Sequence, residues 1–186
     1  TAAVLASEKT KVVGVDINPR TVEIINRGGI HIVEPDLAQT VATAVDRGYL
    51  RASTTPQPAD AFLIAVPTPF RDQHQPNLAY VRAAAEAIAG VLKKGDLVVL
   101  ESTCPVGSTG QMAGWLAALR PDLIFPQHSQ QPDIHIAYCP GRVLPGKIMS
   151  ELVNNDRVIG GMTPACSDRA CQLYQLFVRG ECIVTD

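Results

Sequence analysis

Asp16, Thr68, Thr103 and Thr109 are the residues of this chain whose types and placement could do chemistry, because each follows a run that reads as a buried strand. Asp16 stands in the stretch Lys11–Arg20, KVVGVDINPR. A carboxylate at the end of such a strand can take the hydroxyls of an adenosine ribose, about 20 residues after a glycine-rich phosphate loop. Counting back that far from Asp16 passes Thr1, so the expected loop is not in the chain. Read alone, Asp16 serves equally well as a turn-former capping the next helix. Threonine hydroxyls and backbone N–H groups near 68, 103 and 109 suit a nicotinamide ribose, a carboxamide or a water to be activated. They donate and accept hydrogen bonds but offer no proton acceptor near neutral pH.

His31, His74, His128 and His135 share no ligand spacing and read as surface or loop residues. The five cysteines, Cys104, Cys139, Cys166, Cys171 and Cys182, are odd in number and none is spaced C-x-x-C. Neither a disulfide framework nor a zinc site follows, and reduced, mostly structural thiols are expected.

The elements that must position these residues alternate between strand and helix. An Ala-rich helix over 1–7 leads to a strand at 11–15 with almost no alternation, the pattern of a parallel strand covered on both faces. Asn18 is a good N-cap, Pro19 a good first helical residue, and Gly28 and Gly29 stop the helix. Leu37, Val41 and Val45 share one helical face, with Gly48 at its end, and a short strand is expected at 50–53. A buried strand at 61–66 is closed by Pro67 and Pro69. An amphipathic helix over 78–92, a strand at 96–100, the loop ESTCPVGST and a helix over 110–119 follow. Strands are expected at 134–138, 157–161 and 182–185, with a helix over 164–177 between the last two. The order predicts an α/β, Rossmann-like fold: a mostly parallel sheet with helices on both faces and right-handed crossovers. Ligands of such sheets sit outside the carboxyl ends of the strands, where the loops after Val15, Val66 and Leu100 all fall.

With 186 residues, 46% hydrophobic and 18% charged, the chain has the composition of an ordinary globular domain. A net charge of -2 gives no basic face for nucleic acid or anionic membrane. No apolar run reaches the roughly 18 residues of a membrane helix, and no basic n-region precedes the mildly apolar start. A cytoplasmic protein is expected.

Five ordered segments, GVDINPRTVEIINRGGIHIVEPDL, LIAVPTPF, ESTCPVGST, AYCPGRVLPG and NDRVIGG, resemble the UDP-glucose/GDP-mannose dehydrogenase family, and within it the bacterial UDP-N-acetyl-D-mannosamine dehydrogenases. The resemblance implies that 1–186 is part of an amino-terminal NAD-binding domain. The glycine-rich loop would precede it, and a central dimerisation helix and a carboxy-terminal nucleotide-sugar domain would follow. It implies a homodimeric enzyme that oxidises UDP-N-acetyl-D-mannosamine to the uronate, through a cysteine thiohemiacetal and thioester, reducing two NAD. By matching position, Asp16 would bind the adenosine ribose and Arg20 the adenine side. Thr68, Thr103 and Thr109 would line the NAD site, Thr103 also positioning a water. Arg142 and Val143 would contact the nucleotide-sugar. The nucleophilic cysteine and essential lysine of the family would lie after Asp186. Gly141 stands where the family carries a glutamate associated with acid/base work. Two alternatives remain at this stage: a non-catalytic remnant that binds nucleotide weakly, and a Rossmann-like methyltransferase, against which the PTP and STCPVGST loops argue. With its first central strand missing, the isolated chain is also expected to be poorly soluble.

Overall fold

The computed structural model describes residues 1–30, 32, 34–69 and 76–185; His31 and His74 lie outside the described residues. The chain falls into two compact units. The first comprises Thr1–Gln57, Arg142–Asp156 and Gln175–Glu181, and the second Pro58–Gly141, Arg157–Tyr174 and the segment from Cys182.

In the first unit, helix α1 (Ala2–Ser7) leads to strand β1 (Val12–Val15), helix α2 (Pro19–Asn26), helix α3 (Leu37–Asp46) and strand β2 (Leu50–Ser53). β1 and β2 pair in parallel, with Val12 opposite Leu50 and Val15 opposite Ser53. Ala3, Ala6, Val41, Ala44 and Leu50 form the core between the helices and this sheet. As the sequence predicts, Asn18 caps α2 by accepting the Arg20 N–H at 3.0 Å, and Pro19 sits where no helical donor is needed. The Asn26 side chain then brackets Ala52, accepting its N–H at 2.7 Å and donating to its carbonyl at 3.1 Å. Two hydrogen bonds to one residue fix the end of α2 on β2.

The second unit holds β3 (Ala61–Ile64), α4 (Ala79–Ala89), β4 (Leu97–Leu100), α5 (Ser108–Leu119) and β5 (His135–Tyr138). After α6 (Ile148–Asn154), which belongs to the first unit, come β6 (Arg157–Gly161), α7 (Pro164–Tyr174) and β7 (Cys182–Thr185). The five strands run in the order β3-β4-β5-β6-β7, and all pairs are parallel except β5 with β6. Every residue of β4 is buried, which accounts for its unbroken apolar run. Val81, Val98, Leu100, Met112, Leu116, Phe125, Ile134 and Ile136 fill the core around it.

Several boundaries differ from the sequence reading, among them the end of the helix expected over 78–92, which stops at Ala89 before Gly90. The strand expected at 61–66 stops at Ile64, because the Val66 N–H is taken by the Ser102 hydroxyl at 2.8 Å instead of by a neighbouring strand. α5 begins at Ser108, two residues early, after Gly107 turns the chain at φ +88°. The helix expected over 164–177 ends at Tyr174. α6 was not anticipated at all.

Candidate functional site

In the first unit Asp16 is half-buried at the carboxyl end of β1. One carboxylate oxygen accepts the Asn18 N–H at 2.8 Å, so the turn-forming role is present. An ionised carboxylate has about four lone-pair sites, and a bond of this kind leaves acceptor capacity for hydroxyl donors. Arg20 is exposed in the first turn of α2. Arg142 is exposed and Val143 half-buried in the loop that leads into α6.

In the second unit the loops after β3 and β4 are joined by side chains. The Ser102 hydroxyl, buried, accepts the Val66 N–H at 2.8 Å and reaches the Val66 carbonyl at the same distance. The Thr68 hydroxyl donates to the Thr103 carbonyl at 2.7 Å. Thr68 and Thr103 therefore come together at the carboxyl ends of adjacent parallel strands. Ser102 is the residue that sequence reasoning missed; a serine among turn-formers gives no sign of a staple between loops 36 residues apart.

The same edge extends to β5. The Gly141 N–H donates to the Glu101 carbonyl at 3.2 Å, and the Cys104 N–H to the Tyr138 hydroxyl at 3.3 Å. Beneath them the Tyr174 hydroxyl, fully buried, donates to Glu101 Oε1 at 2.8 Å. Burial, then the Glu101 charge, raise the Tyr174 pKa far above that of a free phenol, so it stays a donor. Thr109 is half-buried in the first turn of α5. Gly141 is exposed and supplies no acid or base.

Three of the thiols are held back from ionising. Burial raises the Cys104 pKa. It pushes Cys139 from 9.0 up to about 11, a rise that Tyr174 and Arg157 offset only in part. Cys182 also rises to about 11, from burial first and then from Cys171. Cys166 is buried and accepts the Ile136 N–H at 3.3 Å. Because a thiol raised in the fold ionises sooner when unfolded, the Cys139 contribution is fully present below about pH 9 and lost as pH rises through about 11. Two results are expected. Iodoacetamide at pH 8 leaves Cys139 unmodified in the native protein but labels all five cysteines after denaturation. Urea midpoints fall between pH 9 and 11, and fall less in Cys139→Ala; an equal fall in both proteins would refute the assignment.

Among the described residues no group of three His, Cys, Asp or Glu side chains could hold a metal. Nor is any helix among them long and apolar enough to cross a membrane.

Residues 1–178 match the UDP-glucose/GDP-mannose dehydrogenase family, NAD binding domain. The chain is 65% identical over 187 aligned positions to UDP-N-acetyl-D-mannosamine dehydrogenase of Escherichia coli, covering all of this chain and 44% of that protein. It is also 65% identical to an NDP-N-acetyl-D-galactosaminuronic acid dehydrogenase of Ralstonia nicotianae, with the same coverage. The solved UDP-N-acetyl-mannosamine dehydrogenase of Staphylococcus aureus superposes with a TM-score of 0.91 at 37% identity, over all of this chain and 44% of that one. The chain thus spans under half the length of the relatives it matches.

Proposed function

The chain belongs to the UDP-glucose/GDP-mannose dehydrogenase family, as its NAD binding domain, and from that premise we propose that it is the cofactor-holding part of an enzyme that oxidises UDP-N-acetyl-D-mannosamine to the uronate. The observation that carries this reading is the stapled edge: Ser102 locks Val66, and Thr68 locks Thr103, at the carboxyl ends of β3 and β4. Such ends are where α/β sheets take nucleotides. NAD, when bound, supplies the acceptor for the hydride leaving the sugar's primary alcohol, once for the alcohol and once for the aldehyde oxidation state.

The chain's own residues bind and orient. Asp16 fits the adenosine ribose, since its carboxylate has acceptor capacity beyond the Asn18 bond and its half-burial strengthens bonds to hydroxyls. Arg20 covers the adenine side, where a planar guanidinium can stack. Thr68, Thr103 and Thr109 line the nicotinamide end, and Thr103 orients a water. Arg142 takes the nucleotide-sugar through charge-assisted hydrogen bonds, with Val143 beside it. Relatives of equal identity carry names with two different N-acetylated sugars.

An Asp16 that serves the ribose also repels a 2′-phosphate. Isothermal titration of the chain is expected to show NAD bound more tightly than NADP. Asp16→Ala should weaken NAD about tenfold, the scale of one charged hydrogen bond, and narrow the gap. Equal affinities in the parent chain, or uptake of S-adenosylmethionine without NAD, would overturn the reading. One observation favours a second reading, a chain that holds nucleotide without supporting turnover: Gly141 leaves the edge without a proton acceptor at the position where the resemblance requires one.

A further inference from the structure

Glu34 is the most buried carboxylate of the first unit, at 7% exposure, and the resemblance gives it no role. It stands in the segment HIVEPDL, just before α3. Its two oxygens are divided between two backbone donors more than a hundred residues away: Oε2 accepts the Gly146 N–H at 2.9 Å, and Oε1 the Ile148 N–H at 2.8 Å. A buried charge is costly unless fully hydrogen-bonded, and here each oxygen meets a backbone donor, which an apolar side chain could not offer. The loop held in this way is the one that carries Arg142 and Val143.

Two further side chains hold the same loop. Glu151 Oε2 accepts the Leu144 N–H at 2.8 Å, and Asn155 Nδ2 donates to the Arg142 carbonyl at 3.1 Å. Both come from α6 itself or its C-cap, so they move with it. Glu34 alone among these three belongs to a different element, and it ties the loop and the start of α6 to the body of the unit. Gly146, at φ +84°, makes the turn that brings both N–H groups round to one carboxylate.

We infer that Glu34 is a positioning residue for the nucleotide-sugar: it clamps the Arg142–Ile148 loop so that the Arg142 guanidinium is presented in one place. This rests on the proposed substrate reading of Arg142. The carboxylate matters because both partners are donors. Glutamine would face one of them with its own N–H group, breaking one bond and opposing two donors.

The test is a double-mutant cycle on residues 1–186 joined to the remainder of a family dehydrogenase, with Glu34→Gln and Arg142→Ala, reading UDP-N-acetyl-D-mannosamine and NAD affinity by titration and amide exchange by mass spectrometry. Glu34→Gln is expected to speed exchange at 144–148, weaken UDP-N-acetyl-D-mannosamine about tenfold and leave NAD unchanged. In the Arg142→Ala background it should cost little further, because the clamp acts through that side chain. Parallel loss of NAD binding would mean general loosening, and additive losses would mean no coupling; either overturns the inference, as does unchanged sugar affinity in Glu34→Gln. If the parent chain takes up no UDP-N-acetyl-D-mannosamine, the substrate reading fails first and the clamp's role falls with it.

Discussion

Glutamate in place of Gly141 is expected to raise the rate of NAD reduction with UDP-N-acetyl-D-mannosamine by about 10² to 10⁴-fold, the range a positioned general base contributes. The measurement needs a complete active site, so residues 1–186 are to be joined to the remainder of a family dehydrogenase. The local structure is ready for the side chain. A Cβ at 141 meets nothing within 4 Å, and the residue does not sit in the left-handed region, so no strain accompanies the change. Its N–H is already held by the Glu101 carbonyl, and Glu101 is held in turn by Tyr174, so a carboxylate added here starts from an anchored backbone. The gain should appear in kcat with little change in KM, because proton transfer is felt in the transition state and not in binding. Gly141→Gln is the control: it has the same shape but accepts no proton. An equal gain from glutamine would assign the effect to packing, and no gain from glutamate would place the proton acceptor elsewhere in the protein.

What the sequence disclosed and what it hid divide by the range of the interactions involved. The order strand, turn, helix from Lys11 to Asn26 was legible because its signals are local: an apolar run, an N-cap asparagine and a proline at the first helical position. The apolar run misled on cover: Val12, Val13 and Gly14 are only half-buried and Val15 is exposed, because among the described strands β1 pairs with β2 alone. That the loops carrying Thr68 and Thr103 share one sheet edge was legible from the topology, whereas the hydrogen bond between them was not. Nor was α6. Its seven residues, IMSELVN, are too few to display a helical period and bury only Leu152, and its start is held by Glu34 from 114 residues away. The antiparallel pairing of β5 with β6, Ala137 opposite Gly161 and Tyr138 opposite Gly160, was hidden too, because neither strand's own pattern carries its direction relative to a neighbour. Ser102 and Glu34 show the limit for site residues. Each is a common polar type whose meaning comes from a partner distant in sequence, and only the fold supplies the partner.

Those two glycines give the second large effect, and they separate sharply. A Cβ at Gly161 would lie 2.3 Å from the Ser167 N, 2.4 Å from its Oγ and 2.8 Å from its Cα, whereas at Gly160 the nearest atom is Thr185 Oγ1 at 3.8 Å. The first set is mostly backbone of α7, which cannot swing aside as the tip of a side chain can. Gly161→Ala must therefore push the first turn of α7 off the end of β6, breaking the bond from the Gly161 N–H to Ser167 Oγ and disturbing the packing of Cys166, Ala170 and Tyr174, all fully buried. Overpacking against a backbone costs about 3 kcal/mol or more, which for a chain of this size lowers Tm by roughly 6 to 12 °C. Gly160→Ala should change stability by about 1 kcal/mol or less, since 3.8 Å is ordinary contact and alanine gives up less backbone entropy than glycine. Urea titrations of the two variants beside the parent protein check the contrast, and similar losses in both would show that the close approach of α7 is not what β6 requires of its last residue. The damage should also reach the ligand edge. Tyr174, on the last turn of α7, holds Glu101, and Glu101 holds Gly141, so NAD affinity in Gly161→Ala is expected to fall at temperatures where the variant is still folded. Gly160→Ala should bind as the parent does.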